Sequence, residues 1–436
     1  MSDSENNFIK GILLIYHHPL EADAATVMEN VRSFQYSRFK VWSVNTAFGF
    51  PESLKEVQFQ SLVLHYSLFG NRPYQLPDSF LDYLDHSQLS YKIAFFQDEH
   101  HHCRERFAFL NRHAIDCVYT LVEQPYFRDV YLKYTSVKNL INYIPGYVAD
   151  DLIAVAARLS VPEARRTVDV GYRARPLSFY SGKGAQEKTR IAIEFRERAR
   201  DSGLKLDIET DEAQRIYGRK WYKFVANCRA VLGVEAGVSI FDVDDSVQAR
   251  TDEILKQQPG TSFDELSEKL LHQFEDNVYY RTISPRHFEA AAFRVTQILF
   301  EGRYSGLMQP MVHYIPLQKD FSNFDDCLRM FHDEALRREL TDNAYRDLIV
   351  SGKFSYQSFM QTFDERLIEA GLQPDVSATE AADFSRRLAS DQRKLELRAR
   401  KNRLMYHSDF PGRRELSLIG GPLLRKLRRW RDGSAR

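Results

Sequence analysis

The feature that most constrains the fold of this chain is an alternation of short apolar strands with helical stretches, which occurs twice. Five predicted strands in the first third lie at residues 9–17, 39–45, 60–66, 91–97 and 115–121. A second series begins at TVDVGY and continues through LKLDIE, NCRAVLGV and RVTQILF. Strands that alternate with helices pair in parallel and are covered by helices. The sequence therefore predicts an α/β protein with two Rossmann-like domains that face each other across a cleft.

The predicted domain boundaries follow from the positions of the two strand series. We expect an N-terminal domain at residues 1–150, a second domain at 165–370 and a basic helical extension at 371–436. The stretch DLIAVAARLSVPEARR is the predicted connector between the two domains. No internal repeat or low-complexity tract suggests a different architecture.

The composition is that of a globular enzyme. Of the 436 residues, 43% are hydrophobic and 28% are charged, which is an ordinary balance. No run reaches the roughly 18 apolar residues of a membrane span, and the N-terminus MSDSENNFIK is acidic and polar, unlike a signal peptide. The four cysteines show no CxxC spacing, so we expect buried thiols rather than a zinc site or a disulfide scaffold. These features predict a cytoplasmic protein.

The net charge of zero hides a basic C-terminal end. From Arg386 onward there are 16 Lys and Arg against 5 Asp and Glu, a difference of +11. The stretch FSRRLASDQRKLELRARKNRLM predicts a long exposed helix, and LSLIGGPLLRKLRRWRDG mixes leucines, a tryptophan and arginines. Such a segment can lie on an anionic membrane surface, at the inner face of the membrane. The alternatives are packing on the acidic body or a tail without fixed structure; nucleic-acid binding is disfavoured, because no recognition motif accompanies the basic residues.

Residues 281–302, RTISPRHFEAAAFRVTQILFEG, predict a capped helix followed by a strand. Ser284 suits the N-cap and Pro285 the first helical position, where no amide is needed. The free amides of the first turn can bind an anion. Glu289 lies about one and a half turns further on, and its two oxygens can accept hydrogen bonds from the vicinal hydroxyls of a ribose. The alternative is an ordinary helix with one solvated glutamate.

This segment resembles the donor-site helix of the group 1 (CgeB-like) GT-B glycosyltransferases. The resemblance continues through GRYSGLMQPMVHYIPLQKDFSNFDD and on to SGKFSYQSFM. In that family the helix carries an arginine and a glutamate that contact the donor, and these correspond here to Arg286 and Glu289. Retaining relatives have another glutamate eight positions earlier, where this chain has Arg281. The resemblance implies a GT-B fold, with neither inversion nor retention predicted.

A glycine-containing loop opens the second domain, in VDVGYRARPLSFYSGKGAQEK. Glycines allow the backbone to approach a diphosphate closely, and Arg173 or Lys183 could neutralise its charge. The alternative for both side chains is a solvated surface charge. The loop matches neither a Walker A motif nor GxGxxG, and it is similar to the first strand and loop of the donor domain in the family named above.

A second loop follows the strand in NCRAVLGVEAGVSIFDVDD. Glu235, Gly237 and Ser239 lie at the C-terminal end of that strand, where open α/β sheets bind ligands. The family has a short Gly and Ser loop near the donor, which this segment resembles. Asp242 and Asp244 form a DxD sequence, but GT-B enzymes stabilise the leaving diphosphate with side chains and a helix dipole, so we expect no metal.

Two strand ends of the first domain carry polar clusters that resemble acceptor-side loops of these transferases. His17 and His18 follow the first strand, and Asp98 and His100 follow the strand YKIAFFQ. An inverting enzyme needs a base near the acceptor hydroxyl, and Asp98 or His100 has suitable chemistry. The alternatives for the HHH run are a polar surface loop or, less favoured, a metal site.

The sequence as a whole predicts a glycosyltransferase. It would move a sugar from a nucleotide-diphosphate donor to a hydroxyl of a glycan, lipid-linked or protein acceptor, with neither a cofactor nor a nucleic-acid partner. One alternative is a non-catalytic sugar-nucleotide binding scaffold of a polysaccharide-assembly complex. A second alternative is a nucleotide-sugar epimerase or hydrolase on the same fold.

Overall fold

The first domain is built on a six-stranded parallel sheet. The computed structural model describes residues 8–20, 25–374 and 378–407. The strands of the first sheet are β1 (Phe8–Tyr16), β2 (Val41–Asn45), β3 (Gln58–Leu64), β4 (Tyr91–Phe95), β5 (Cys117–Thr120) and β6 (Asn139–Asn142). Their order across the sheet is β2-β1-β3-β4-β5-β6, with helices α1 (Ala25–Ser33), α2 (Asp78–His86) and α3 (Cys103–Arg112) between strands. All five predicted strands of this half are present.

The centre of this sheet is apolar on both faces. Ile12, Leu13, Leu14 and Ile15 of β1 are completely buried, and Leu13 pairs with Trp42 on one side and with Leu62 on the other. A strand buried on both faces reads as a continuous apolar run, which explains why its position was readable from the sequence.

The second domain contains a five-stranded parallel sheet in the order β13-β12-β9-β7-β8. Its strands are β7 (Val168–Arg173), β8 (Leu206–Glu209), β9 (Cys228–Gly233), β12 (Thr296–Phe300) and β13 (Ile315–Leu317). A separate antiparallel pair is formed by β10 (Ala236–Val238) and β11 (Tyr280–Thr282). The helices are α4 (Asp150–Leu159), α5 (Lys183–Arg198), α6 (Gly218–Ala226), α7 (Ser246–Gln257), α8 (Phe263–Lys269), α9 (Pro285–Ala292), α10 (Phe324–His332) and α11 (Glu334–Ala344). The protein is therefore an α/β molecule with two Rossmann-like sheets, as predicted.

The chain returns to the first domain after residue 350. Helix α12 (Tyr356–Glu369) places Phe363 against Phe34 and Phe95, with ring centroids 5.5 and 6.1 Å apart. Its buried Asp364 accepts hydrogen bonds from the Ser37 hydroxyl and the Arg38 amide, both at 2.6 Å. Helix α12 thus packs on the first sheet, although the predicted boundary at residue 370 assigns it to the second domain.

The last described helix is α13 (Ala378–His407), which includes the predicted long helix. Its Phe384 ring lies 5.8 Å from Trp42 and 5.4 Å from Phe59, so one face of the helix is buried against the first domain. The basic segment LSLIGGPLLRKLRRWRDG lies outside the described residues. Within the described ranges, no helix is both long and apolar enough to cross a membrane. All four cysteines are free and buried.

Candidate functional site

A cleft of about 680 Å³ lies between the C-terminal ends of the two sheets. The first domain contributes the loops that follow β3 and β4, including Asn71, Asp98 and His100. The second domain contributes the residues after β7 and β9, part of α5 and α6, and the first turns of α9. Ligands of open parallel sheets bind at this edge, and the volume is that of a small-molecule site.

The start of α9 lines this cleft as the sequence predicted. The Ser284 hydroxyl accepts from the Arg286 amide at 3.3 Å, and the Ser284 amide donates to His287 Nδ1 at 2.9 Å. Burial lowers the pKa of His287 to about 3, so its imidazole stays neutral and keeps this acceptor nitrogen. The two bonds fix the helix N-terminus against the cleft, where Ser284, Pro285 and Arg286 form part of the wall.

Glu289 lies one turn further along α9 and also lines the cleft. Trp221 Nε1 of α6 donates to its Oε2 at 2.7 Å, which holds the carboxylate in one orientation. Burial raises the pKa of Glu289, and the hydrogen bond from Trp221 opposes that rise. A carboxylate oriented through one oxygen presents its other oxygen for a ligand hydroxyl.

Arg286 and Arg173 contact each other at this wall, but their guanidinium groups differ in how many hydrogen bonds they already make within the protein. Arg286 is exposed, its guanidinium lies 4.8 Å from the Trp221 ring centroid, and it donates to the carbonyl of Arg173. Arg173 is buried and donates to the carboxylate of Asp207 at 2.7 Å and to three backbone carbonyls. These bonds use four of the five N–H groups of the Arg173 guanidinium, so little of it is left for an anion in the cleft. Arg286 is thus the better placed of the two predicted clamps.

The residues Gly182 to Gly184 do not line the cleft, whereas Tyr180 and Ser181 just before them do. The Lys183 amide donates to Glu275 Oε1 at 2.8 Å, and the Gly184 amide donates to Ser239 Oγ at 2.8 Å. A carboxylate of the protein therefore occupies the positive N-terminus of α5, where an anionic ligand was expected. Neither Lys183 nor Ser239 lines the cleft.

Lys188 is a cation in the cleft that the sequence reasoning missed. It lies on α5, and its Nζ donates to the carbonyl of Gly237 at 3.2 Å. Burial lowers the pKa of Lys188 to about 8; nearby Arg286 adds to the shift and Asp98 opposes it. The sequence did hold a signal, because Lys188 is spaced four residues from the buried Gly184 and three from the buried Ile191, on the apolar face of α5.

Glu235 and Gly237 shape the turn that holds this lysine. Glu235 is 6% exposed and accepts from the Tyr279 hydroxyl at 2.9 Å and from the Tyr304 amide at 2.8 Å. Gly237 has φ +91°, and a Cβ there would overlap the carbonyl oxygen of Tyr280. Both residues line the cleft, with the Glu235 carboxylate bonded within the protein and the Gly237 carbonyl bonded to Lys188.

Asp98 and His100 form part of the opposite wall. Asp98 is exposed. His100 Nδ1 is enclosed without a hydrogen-bond partner in the described residues, and burial, reinforced by His101, holds the pKa of His100 well below its usual value. The imidazole of His100 is therefore neutral near pH 7.

His17 and His18 lie outside the cleft. His17 Nδ1 is 2.9 Å from the Thr46 hydroxyl, and the His18 amide donates to Asn45 Oδ1 at 2.9 Å. These bonds tie the end of β1 to the end of β2. Burial lowers the pKa of His17.

The first aspartate of the DxD sequence caps helix α7. Asp242 accepts from the amides of Ser246, Val247 and Gln248 at 3.0, 3.1 and 2.8 Å, which satisfies the first turn of α7. Among the described residues, no group of three or more His, Cys, Asp or Glu side chains is arranged to hold a metal ion.

No family model matches the sequence, and no curated protein matches it significantly. Similar solved structures include an alpha-glucosyltransferase in complex with UDP-glucose and DNA, with 11% identity, 83% of this chain and 100% of that chain covered, and a TM-score of 0.48. HepE from Anabaena in complex with UDP-glucose has 9% identity, with 82% and 99% covered and a TM-score of 0.44. TarM has 13% identity and a TM-score of 0.38; the match covers 72% of this chain and only 55% of TarM. At these identities and TM-scores, the likeness does not assign a function to this chain.

Proposed function

We propose that the protein is a glycosyltransferase that moves a sugar from a nucleoside-diphosphate donor to a hydroxyl acceptor. The observation that carries the proposal is the cleft lining, in which the N-terminus of α9, the cations Arg286 and Lys188 and the oriented carboxylate of Glu289 occur together. A nucleoside diphosphate has the matching groups, namely two phosphates and a ribose diol. The sugar would then extend towards the first domain.

The diphosphate would be bound by Arg286 and Lys188, near the positive end of the α9 dipole. The charge on a leaving diphosphate grows as the glycosidic bond breaks, and preorganised cations and amides stabilise that charge without reorganising. Lys188 suits this role, because a phosphate nearby favours the protonated form that burial disfavours.

The ribose would be bound by Glu289. Trp221 already fixes one of its oxygens, so little side-chain entropy is lost when a ribose hydroxyl donates to the carboxylate. The nearby Trp221 ring, with Arg286 over it, closes one side of this position.

The acceptor would enter on the side of the first domain. Its hydroxyl oxygen forms the new bond to the anomeric carbon, the bond from that carbon to the donor phosphate oxygen breaks, and the nucleoside diphosphate leaves. In an inverting reaction the hydroxyl proton passes to Asp98 or His100; in a retaining reaction neither residue is needed as a base.

We propose that the reaction needs no divalent metal. Arg286, Lys188 and the dipole of α9 supply the positive charge that a metal would supply. Asp242 already accepts hydrogen bonds from three amides of α7. The acceptor is proposed to be a glycan, a lipid-linked sugar or a protein rather than a nucleic acid. The location is proposed to be cytoplasmic, with residues 416–433 as a contact to the inner membrane surface.

The experiment is a thermal-shift screen over nucleoside diphosphates, followed by donor turnover with and without EDTA. A ligand that binds only the folded state raises Tm, so the cognate diphosphate should stabilise the protein and its sugar conjugate should be consumed. Binding without turnover over a broad acceptor panel would favour the non-catalytic scaffold instead. An absence of binding to every nucleoside diphosphate would reject the proposal.

A further inference from the structure

Helix α3 of the first domain is capped by a carboxylate of the second domain. The amides of Cys103 and Arg104 donate to Asp245 Oδ1 and Oδ2, at 2.9 and 3.0 Å. The N-cap residue of α3, His102, makes no side-chain capping bond of its own. The first turn of this helix therefore depends on an acceptor that belongs to the other domain.

Asp245 itself occupies the N-cap position of α7, yet its carboxylate does not cap that helix. Asp242 does so instead, through three amides. Both oxygens of the Asp245 side chain therefore bond across the domain interface. Its backbone has φ 56°, a left-handed conformation that aspartate tolerates better than most residues.

Helix α3 also fixes the loops that line the cleft. Arg106 is 2% exposed, and its guanidinium donates to carbonyls on two loops. On one loop it bonds the carbonyls of Asp98 and His101, the latter at 3.0 Å; on the other it bonds those of Gly70 and Arg72 at 2.7 and 3.1 Å. A shift of α3 would therefore move both loops.

Two further contacts join the domains at the same place. The Asp242 amide donates to the carbonyl of His100 at 3.0 Å. The Tyr280 hydroxyl contacts the carbonyl of Gln97 and lies 3.2 Å from Glu99 Oε1. The loop from 97 to 104 is thus contacted by the second domain along its length.

We propose that Asp245 is a positioning residue, which couples the approach of the two domains to the placement of the Asp98–His100 loop. Its two oxygens match two neighbouring amides, and its negative charge lies at the positive end of the α3 dipole. Separation of the domains removes both bonds, so the first turn of α3, which carries Arg106, loses its cap and the loop that Arg106 holds is fixed less firmly. The effect on catalysis rests on the function proposed above in its inverting form, in which Asp98 or His100 takes the hydroxyl proton.

The test compares Asp245→Ala and Asp245→Asn with a matched capping variant, Asp333→Ala. Asp333 caps α11 through the Leu336 amide at 3.1 Å and does not line the cleft. Asp245→Ala should lower kcat by about ten- to a hundredfold, as small misplacements of reacting groups do. Its nucleotide Kd should be unchanged, because the proposed donor residues lie in the second domain. Asp245→Asn keeps an acceptor oxygen and should restore part of kcat, whereas Asp333→Ala should lower Tm and leave kcat intact.

Hydrogen exchange provides a readout that needs no turnover. In Asp245→Ala, the amides of residues 98–104 should exchange faster than in the wild type, and in Asp333→Ala they should not. Wild-type exchange in this loop, or faster exchange with unchanged kcat, would overturn the positioning role. Faster exchange in a protein whose wild type transfers no sugar would instead reject the proposed function and leave the coupling of the domains standing.

Discussion

The substitution Glu289→Gln separates affinity from stability at one side chain. Trp221 Nε1 donates to Glu289 Oε2 at 2.7 Å, and a glutamine oxygen can accept the same bond, so the orientation of the side chain is kept. What changes is the other oxygen, which becomes an amide group that cannot accept from a ribose hydroxyl. Loss of a hydrogen bond to a charged group costs about 1 to 3 kcal/mol, so the Kd for the cognate nucleoside diphosphate should rise about 5- to 150-fold.

The same substitution should raise stability. Burial raises the pKa of Glu289 in the folded protein above its unfolded value. A carboxyl with a raised folded pKa favours the folded state when protonated, and that contribution is lost as the pH rises through the unfolded and then the folded pKa. Neutral pH lies above the unfolded pKa, so Glu289 opposes folding there, and the neutral glutamine removes this cost.

Calorimetry and thermal unfolding at pH 7 measure the two effects side by side. Glu194→Gln is the matched control, since Glu194 lies on α5 outside the cleft and pairs with Arg190; its Kd should equal that of the wild type. An unchanged Kd in Glu289→Gln would remove Glu289 from the donor site. A lower Tm would show that the Trp221 bond needs the charged carboxylate, and the orientation argument would then be wrong.

Three further predictions concern the cations, the pH response and the acceptor side. Arg286→Ala should lower turnover more than donor affinity, because the leaving diphosphate gains charge in the transition state. Lys183→Ala, outside the cleft, should have wild-type kinetics. The reverse pattern would show that Lys183, rather than Arg286, binds the diphosphate. Because burial places the pKa of Lys188 at about 8, nucleotide affinity should weaken as the pH rises from 7 to 9. Lys188→Arg, which keeps its charge, should flatten that dependence in calorimetry, and an equal slope in both proteins would contradict the role of Lys188. EDTA should leave activity largely intact, and either Asp98→Asn or His100→Ala should abolish turnover if the enzyme inverts. If both variants stay active and EDTA abolishes turnover, Asp242 becomes the candidate instead. NMR of the product anomer measures the stereochemical outcome.

The central strands were predictable from their apolar runs, and the edge strands β2 and β8 were predicted as well, whereas the edge strands β6 and β13 were not. Strand β1 carries a continuous apolar run, whereas β6 is the four residues NLIN, with both asparagines exposed. Strand β13 has three residues with a proline in the middle. Strands β6 and β13 lie at a sheet edge and lack such a run, so periodicity gives them little signal.

The candidate site was predictable where a local motif defines it. Ser284, Pro285 and Glu289 belong to one capped helix, and their geometry follows from spacing along the chain. The environments of Arg173 and Lys183 depend on residues far away in the sequence. Asp207 binds Arg173 and lies 34 residues after it. Glu275 accepts from the Lys183 amide and lies 92 residues after it. No spacing rule identifies such partners.

The return of α12 and α13 to the first sheet determines the order in which the molecule can be completed during synthesis. The rings of Phe34, Phe95 and Trp42 are covered by helices that leave the ribosome only after the whole second domain. The first domain emerges first, yet one apolar face of its sheet stays open to solvent or to a chaperone until residues beyond 355 arrive. A nascent chain stopped before α12 would expose that face, so release of the last helices, rather than completion of the first sheet, should limit how soon the protein becomes soluble.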